Sequence, residues 1–231
     1  MKWVRLYVTT EGQTERKFAE EVLGPHLAKY NIEVKARVVL TNRKLGKRGG
    51  IMDYGKIRGD LHRLMLEDQH EEARFTTMID LYALPNKFPG WTEARQPTHS
   101  QNRITILERA LKADIEDQRF LPYIQLHEFE ALLYCDLSQL QKRIAGSAPG
   151  LTKLTKEVRG IPPEEINDGT TTAPSKRIIR HVPIYGKSKV RVGAPAAAAI
   201  GLPTLRKKCP HFNSWINTLE SLAPLSKNRK R

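Results

Sequence analysis

Apolar and polar positions follow a regular order along the first part of the chain. The run from Trp3 to Val8 holds branched and aromatic residues without a breaker, which predicts a buried strand. Between Gln13 and about Tyr30 the apolar side chains recur at helical spacing, and Pro25 is expected to divide that helix. Residues 32–41 alternate apolar and polar positions, which predicts a half-exposed strand.

The same alternation continues to about residue 135. Further segments with helical or strand patterns are a helix around 57–65, a strand at 75–80, a helix from about 103 to 118 and a strand at 120–126. His127 to Tyr134 is predicted to open another helix. This order predicts an α/β fold with a mostly parallel four-stranded sheet and helices on both faces.

The second part of the chain has no strand pattern. Its helical candidates lie near 151–158, 174–181, 196–199 and 212–222, and the chain contains no internal repeat. We therefore divide the chain into an α/β core (1–137), a helical extension packed on that core (138–225) and a disordered basic tail (226–231).

Carboxylates follow three of the predicted strands. Glu11 comes after the first strand, Asp80 ends the third, and Glu128 and Glu130 follow the fourth. Because parallel strands end at one edge of a sheet, we expect these acids to lie together. Packed carboxylates repel one another unless a cation compensates, and oxygen-only donors suit Mg²⁺ or Mn²⁺. The pattern predicts a metal site for phosphodiester chemistry with Glu11, Asp80 and Glu130 as ligands and Glu128 as a further catalytic candidate.

Each of these acids also has a purely structural interpretation. An acid at a strand–helix junction commonly caps a helix or favours its first turn, and we assign Glu15 to this role. Only one of Glu128 and Glu130 needs to face the site, because residues i and i+2 of a helix point to different sides. His127 is a packing residue or a base beside Glu128.

Net charge adds a prediction about partners. The 231 residues include 39 Lys and Arg against 25 Asp and Glu, a formal net charge of +14. This balance favours nucleic acid, which Arg and Lys would bind through phosphates without sequence preference, although a solvated basic face is the alternative. Either Lys176 or Lys187 is also a candidate to reach the metal site. The candidate nucleic-acid-binding residues are Arg43, Lys44, Lys47, Arg48, Lys176, Arg177, Arg180, Lys187 and Lys189.

Two further features bound the environment of the protein. No stretch approaches the roughly 18–20 apolar residues of a membrane-spanning helix, and Met1 to Arg5 lacks the features of a signal peptide. We therefore expect a soluble, cytoplasmic protein. Cys135 and Cys209 are far apart in sequence and outside any metal-binding pattern, so we interpret them as buried thiols.

Short motifs at these positions carry a resemblance to a known group. Glu11-Gly12-Gln13-Thr14-Glu15 resembles the Glu-Gly-x-Thr-Glu opening of Toprim-like nucleases, which include the OLD family and RloB-type proteins. Phe129-Glu130-Ala131-Leu132-Leu133 is similar to the Phe-Glu segment of the RloB-like branch. Together with an Asp-x-Tyr segment at Asp80, the pattern most closely resembles a bacterial family of unknown function placed among Toprim-like folds. The resemblance covers about residues 3–135 and extends more loosely into Ser175-Lys176-Arg177 and the segment from Phe212 to Trp215.

The resemblance implies a Toprim-like, Mg²⁺- or Mn²⁺-dependent nuclease core, often paired with an AAA- or ABC-type ATPase in phage defence. Toprim proteins usually carry Asp-x-Asp after the third strand, whereas this chain has Asp80-Leu81-Tyr82. Tyrosine is a poor Mg²⁺ ligand, so the alternative is a non-catalytic module that binds nucleic acid or an ATPase. The sequence leaves open whether the substrate is DNA or RNA, what triggers activity and the oligomeric state.

Overall fold

The computed structural model describes most of the chain, namely residues 2–39, 53–96, 99–166, 169 and 171–224. Four candidate nucleic-acid-binding residues lie outside these ranges: Arg43, Lys44, Lys47 and Arg48. The predicted basic tail at 226–231 lies outside them as well.

A parallel sheet forms the centre of the fold. Its strands are β1 (Val4–Thr10), β2 (Ile32–Val38), β3 (Ala73–Asp80), β4 (Phe120–Leu121) and β5 (Ile124–Gln125). The strand order is β2-β1-β3-β4, β5 also pairs with β3, and all of these pairings are parallel. The predicted α/β class with a mostly parallel sheet is confirmed.

One predicted strand, 120–126, is two short strands in the structure. Pro122 lacks the N–H that a continuous ladder would use, so pairing with β3 stops after Leu121 and resumes at Ile124. At the break, the Thr77 hydroxyl takes over the pairing. It accepts a hydrogen bond from the Tyr123 N–H (3.1 Å) and donates one to the Tyr123 carbonyl (2.8 Å).

Helices surround this sheet. In the first part they are α1 (Gln13–Phe18), α2 (Gly24–Leu27), α3 (Tyr54–Glu67) and α4 (Ser100–Ile115). A π-helical turn, Ala19–Leu23, joins α1 to α2 ahead of Pro25, at the position where the sequence predicts a division. In the second part they are α5 (Ser138–Gln141), α6 (Ala148–Glu157), α7 (Pro174–His181), α8 (Tyr185–Ile200), α9 (Leu202–Lys208) and α10 (Pro210–Glu220).

Short 3₁₀ segments connect these elements at Ala28–Tyr30, Leu81–Ala83, Glu93–Arg95, Phe129–Cys135 and Pro163–Glu165. The segment that follows β5 is therefore a 3₁₀ helix and not the opening of an α-helix. All seven of its residues are buried. Among the described residues, no helix is both long and apolar enough to cross a membrane.

Two hydrophobic clusters cover the two faces of the sheet. Ile57 and Leu61 of α3 and Leu107 of α4 pack with Phe75 and Ile79 of β3 on one face. The helical spacing of the apolar residues in α3 and α4 gives each helix an apolar stripe that packs on the sheet face. Burial of both faces explains why β3 is almost continuously apolar or small.

The opposite face is covered jointly by α1 and the C-terminal helices. Leu6 and Val8 of β1 belong to the same cluster as Phe18, Phe212 and Ile216. The indole N–H of Trp215 donates to the Thr76 hydroxyl on β3 at 3.0 Å, and its ring stacks on Tyr123 at 4.1 Å. Cys135 and Cys209 are both buried and free, with their sulfur atoms 3.4 Å apart. The extension therefore shares one hydrophobic core with the sheet.

Candidate active site

Five carboxylates gather at the carboxyl-terminal edge of the sheet. Glu11 directly follows β1, Asp80 is the last residue of β3, and Glu128 and Glu130 follow β5. The fifth is Glu15 in the first turn of α1. We call this set the acidic cluster; its members are Glu11, Glu15, Asp80, Glu128 and Glu130. The parallel topology thus brings together the acids that the sequence places at separate strand ends.

Backbone hydrogen bonds link three segments of the cluster. The Asp80 N–H donates to Glu11 Oε2 at 3.3 Å. Asp80 Oδ1 in turn accepts a hydrogen bond from the Phe129 N–H at 2.9 Å. The ends of β1 and β3 and the segment after β5 are therefore connected through two carboxylates.

Glu15 belongs to the cluster in addition to its place at a helix start. Its side chain is buried and turns back towards Gly12, where a Cβ atom would lie only 2.9 Å from Glu15 Oε2. Glycine at position 12 leaves room for this carboxylate. The sequence predicted only a helix-capping role for Glu15. The spacing of residues does not show that its side chain turns towards Glu11 and Glu130.

The only described cation that contacts a cluster carboxylate comes from the C-terminal extension. Lys189 on α8 places its Nζ atom 3.0 Å from Glu130 Oε1, and the Tyr185 hydroxyl, one turn earlier, donates to the same oxygen at 3.2 Å. Burial lowers the pKa of the Lys189 ammonium, but the charges of Glu130 and other cluster acids raise it above its ordinary value overall. Lys189 is therefore charged at neutral pH.

Glu128 makes a different contact. Its Oε2 accepts a hydrogen bond from the Ser175 N–H (2.7 Å) and its Oε1 accepts one from the Ser175 hydroxyl (3.0 Å). Ser175 lies in the first turn of α7, so a carboxylate here also favours the helix dipole. Both oxygens of Glu128 therefore hold the extension against the core, and Glu130 is the one of the two that contacts Lys189.

The electrostatics of the cluster show an excess of negative charge. Burial raises the pKa of Glu11 and of Glu15 to about 7 each, and neighbouring carboxylates add to the effect. Burial and the charges of the other four members raise the pKa of Asp80 well above its usual range. The pKa of Glu128 is also raised, chiefly by burial. One ammonium group does not compensate for five acids.

This donor set fits a hard divalent cation by its chemistry. Carboxylate oxygens are the ligands that Mg²⁺ and Mn²⁺ prefer, and an ion would offset the burial and the mutual repulsion that raise these pKa values. Within the described residues, no three His, Cys, Asp or Glu side chains are already arranged as a metal site requires. Side-chain rotations of Glu11, Glu130 and Asp80 would therefore have to accompany binding.

Comparison with protein-family models assigns the chain to one family. A family model described as a domain of unknown function (DUF4276) matches residues 10–220. The chain belongs to this family. Comparisons with curated proteins and with solved structures gave no match. The DUF4276 match includes the acidic cluster, Lys189 and α10, and it carries no statement about Toprim nucleases or about activity.

Tyr82 of the DUF4276 domain, two residues after Asp80, lies just beyond the cluster. It belongs to the 3₁₀ segment after β3, and its N–H donates to the His127 carbonyl at 2.9 Å. Its side chain is 41% exposed and lines a small cavity with Trp91 and Arg103. Tyr82 therefore contributes to a neighbouring surface.

Two of the predicted nucleic-acid-binding arginines are held by intramolecular contacts. Arg177 is buried, donates to the Thr172 carbonyl at 2.7 Å and pairs with Glu157. Arg180 and His181 contact the same carboxylate, each at 2.7 Å. These contacts join α6 to α7, so Arg177 has a structural role, whereas the half-exposed Arg180 keeps part of its surface free.

The remaining predicted lysines differ in position. Lys176 and Lys187 are exposed, and among the described ion pairs neither contacts a carboxylate of the cluster. Lys189, two residues after Lys187, is the lysine that reaches Glu130. The spacing of the basic residues did not identify which one faces the acids, because that choice depends on how α8 is rotated against the sheet.

The raised pKa values predict a dependence of stability on pH. The ordinary pKa of Glu11 is 4.5 and its value in the folded protein is about 7, so the folded state retains protons that the unfolded chain releases between these values. Stability is therefore lost as pH rises through this window. In EDTA, Glu11→Gln should remove a cost on the order of 2 kcal/mol at pH 8, which raises Tm by roughly 4–8 °C relative to the wild type.

Thermal unfolding of both proteins at pH 5 and pH 8 measures this effect. The difference in Tm should be small at pH 5, where Glu11 is protonated in the folded protein, and large at pH 8. Glu20→Gln on the same helical stretch is the matched control, because Glu20 is exposed and pairs with Arg16. Equal Tm values for wild type and Glu11→Gln at pH 8 would contradict the raised pKa of Glu11 within the acidic cluster.

Proposed function

We propose that this protein is a divalent-metal-dependent nuclease of Toprim-like organisation that hydrolyses phosphodiester bonds in DNA or RNA. The observation that supports the proposal is the acidic cluster at the carboxyl-terminal edge of a parallel sheet, with Lys189 beside it. Ligands of α/β proteins bind at this edge. The motifs at Glu11 and Glu130 resemble those of Toprim-like nucleases.

Glu11, Asp80 and Glu130 are the residues that would hold Mg²⁺ or Mn²⁺. Such an ion, when bound, supplies charge neutralisation at the scissile phosphate and activation of water. Glu11 and Asp80 are already connected by a hydrogen bond from the Asp80 backbone, which orders one side of the site. Glu128 is placed by Ser175 and acts by positioning the segment that carries Glu130.

Lys189 is the residue that would meet the substrate. Its ammonium lies 3.0 Å from Glu130, at the interface between the extension and the sheet, and its side chain is 35% exposed. A phosphodiester that approaches Glu130 would therefore meet this charge, which offsets the negative charge of the reacting phosphate. Lys176 and Lys187 are exposed on the same part of the chain and would add contacts to neighbouring phosphates.

The net charge of +14 supports a nucleic-acid substrate over a small phosphorylated metabolite. A small-molecule phosphohydrolase would use the same carboxylates but would leave the surface charge without a role. The resemblance to Toprim-like nucleases extends the proposal to an AAA- or ABC-type ATPase partner and to a role in defence against phages.

Cleavage assays test the proposal directly. The purified protein, supplied with Mg²⁺ or Mn²⁺, should cut at least one substrate among plasmid, single-stranded DNA and tRNA, alone or with an ATPase encoded beside it. EDTA should stop the reaction. Calorimetric titration with Mn²⁺ should show binding at pH 8 that is lost in the Asp80→Asn variant.

Other outcomes separate the alternative. A module that only binds nucleic acid would retain its affinity in EDTA, take up no metal and leave every substrate intact. Absence of cleavage under all of these conditions, with and without the ATPase, would exclude the nuclease.

A further inference from the structure

A small polar cavity lies beside the acidic cluster. Its volume is about 120 Å³, and it is lined by Leu81, Tyr82, Trp91, Ser100, Arg103 and His127. Two of its walls come from segments that carry the cluster, because Leu81 follows Asp80 and His127 precedes Glu128. The hydrogen bond from the Tyr82 N–H to the His127 carbonyl joins these two walls. The cavity is therefore a direct neighbour of the candidate active site.

Arg103 brings an uncompensated positive charge to this cavity. Its guanidinium lies over the Trp91 ring at 5.0 Å, and its Nε atom is buried without a hydrogen-bond partner among the described residues. No described carboxylate pairs with it, and burial together with the charge of Arg95 lowers its pKa. Arg103 is half-buried; partial burial of a cation without a counter-charge is costly, and an anionic ligand would reduce that cost.

Two further groups at this cavity can form additional hydrogen bonds. Ser100 is the first residue of α4, a helix of 16 residues whose N-terminus has no side-chain cap. His127 is 2% exposed, its Nε2 atom lies 2.9 Å from the Glu164 carbonyl, and its Nδ1 atom has no partner in the described part of the chain. His127 also adopts a left-handed φ of 64°, a strained conformation for this residue type.

The size and the walls of the cavity define the ligand. A volume of about 120 Å³ corresponds to roughly four water molecules, which suits a phosphate group and excludes a whole nucleotide. Arg103 and the N-terminus of α4 are both groups that bind phosphate oxygens. Trp91 is half-buried with Arg103 over its ring, whereas Tyr82 is exposed, so Tyr82 offers a ring face on which a base attached to that phosphate can stack.

We propose that this cavity binds a phosphate group of a nucleic-acid strand, next to the phosphate that is cleaved, with the attached base against Tyr82. This inference rests on the proposed nuclease function for its choice of ligand. The phosphate is either a terminal monoester or an internal diester, since both present the same oxygens to Arg103. Binding at this cavity does not use the metal ligands.

Binding measured in EDTA tests the pocket apart from catalysis. Fluorescence anisotropy with a short single-stranded oligonucleotide should show roughly 10- to 100-fold weaker binding by Arg103→Gln than by the wild type, as expected for loss of hydrogen bonds to a charged group. Arg109→Gln is the matched control on the same helix, because Arg109 is exposed and paired with Glu93. It should bind within about twofold of the wild type, since an exposed ion pair is worth little.

A second variant keeps the test valid if Arg103→Gln does not fold. Ser100→Asp places a carboxylate at the cavity while favouring the N-terminus of α4, so it should keep or raise Tm and still weaken binding. Oligonucleotides with and without a 5′-phosphate distinguish the two phosphate sources. A Ser100→Asp effect seen only with the 5′-phosphate assigns the cavity to a terminal monoester, and an effect seen with both assigns it to an internal diester.

The outcomes for the pocket and for the nuclease are independent. If folded Arg103→Gln and Ser100→Asp bind both oligonucleotides as tightly as the wild type, the pocket is overturned even if Mg²⁺-dependent cleavage is observed. If both variants weaken binding but no condition yields cleavage, the pocket stands and the nuclease proposal fails.

Discussion

Replacing Asp80 with Asn is expected to abolish metal-dependent cleavage while making the metal-free protein more stable. The amide keeps the oxygen that accepts the hydrogen bond from the Phe129 N–H and removes the negative charge that a cation requires. Loss of a metal ligand removes several kcal/mol of transition-state stabilisation, which lowers the rate on the order of 10³-fold or more. Cleavage rates with Mg²⁺ and Mn²⁺ measure this effect.

The gain in stability has the same origin. Burial and four neighbouring carboxylates raise the pKa of Asp80. At neutral pH, ionisation of Asp80 therefore stabilises the unfolded chain more than the folded protein. An amide has no such ionisation, and the Tm of Asp80→Asn in EDTA should exceed that of the wild type at pH 8. Opposite signs for activity and stability are typical of a functional site and not of a structural ion pair.

Two comparisons make this result decisive. Glu20→Gln, a change at an exposed acid, should leave both the cleavage rate and the Tm close to the wild-type values. A loss of activity in Asp80→Asn that accompanies a lower Tm would indicate unfolding and would contradict the charge argument. Cleavage by Asp80→Asn at the wild-type rate would remove Asp80 from the proposed metal ligands.

A chain that ends at Leu137 is expected not to fold. The extension supplies Phe212, Trp215 and Ile216 to the cluster that covers Leu6 and Val8 of β1. Without it, α1 and α2 alone would cover that face of the sheet, and much of its apolar surface would be exposed to water. Loss of a single large buried side chain already costs about 3–5 kcal/mol, and a whole domain is stable by only about 5–15 kcal/mol.

Circular dichroism and thermal unfolding of the fragment measure this outcome, with a chain ending at Pro224 as the control that keeps every described C-terminal residue. The control should unfold cooperatively near the wild-type Tm, whereas the 1–137 fragment should show no cooperative transition. A cooperative transition in the fragment would establish residues 1–137 as an independent domain. It would also mean that Lys189 and Ser175 come to the acidic cluster from a separately folding part.

Local periodicity predicted most of the secondary structure. Apolar spacing in the sequence identifies α3, α4 and α10 and the strands β1, β2 and β3 within a few residues of their observed bounds, because their buried faces repeat at 3.6 or 2 residues. The alternation of strands and helices was sufficient to predict a parallel sheet, because parallel strands must be joined by crossover connections such as helices. The split at Pro122 was missed, because an apolar run with one proline still has the composition of a single strand.

Within the acidic cluster, sequence and tertiary structure contributed different residues. The sequence by itself determined that Glu11, Asp80 and the pair Glu128 and Glu130 follow parallel strands, and a parallel sheet brings such positions to one edge whatever its side chains do. Only the tertiary structure decided that Glu15 faces the same acids, because that depends on a side-chain rotamer beside Gly12.

The contribution of the extension was decided entirely by tertiary structure. Lys189 reaches Glu130, and Ser175 holds Glu128, through contacts between residues 47 to 59 positions apart. No rule of strand topology applies to helices that pack on a sheet, so their rotation and depth follow from complementary packing of Phe212, Trp215 and the sheet face. Periodicity shows which face of such a helix is buried, and only packing shows which charged residue at the edge of that face meets the acids.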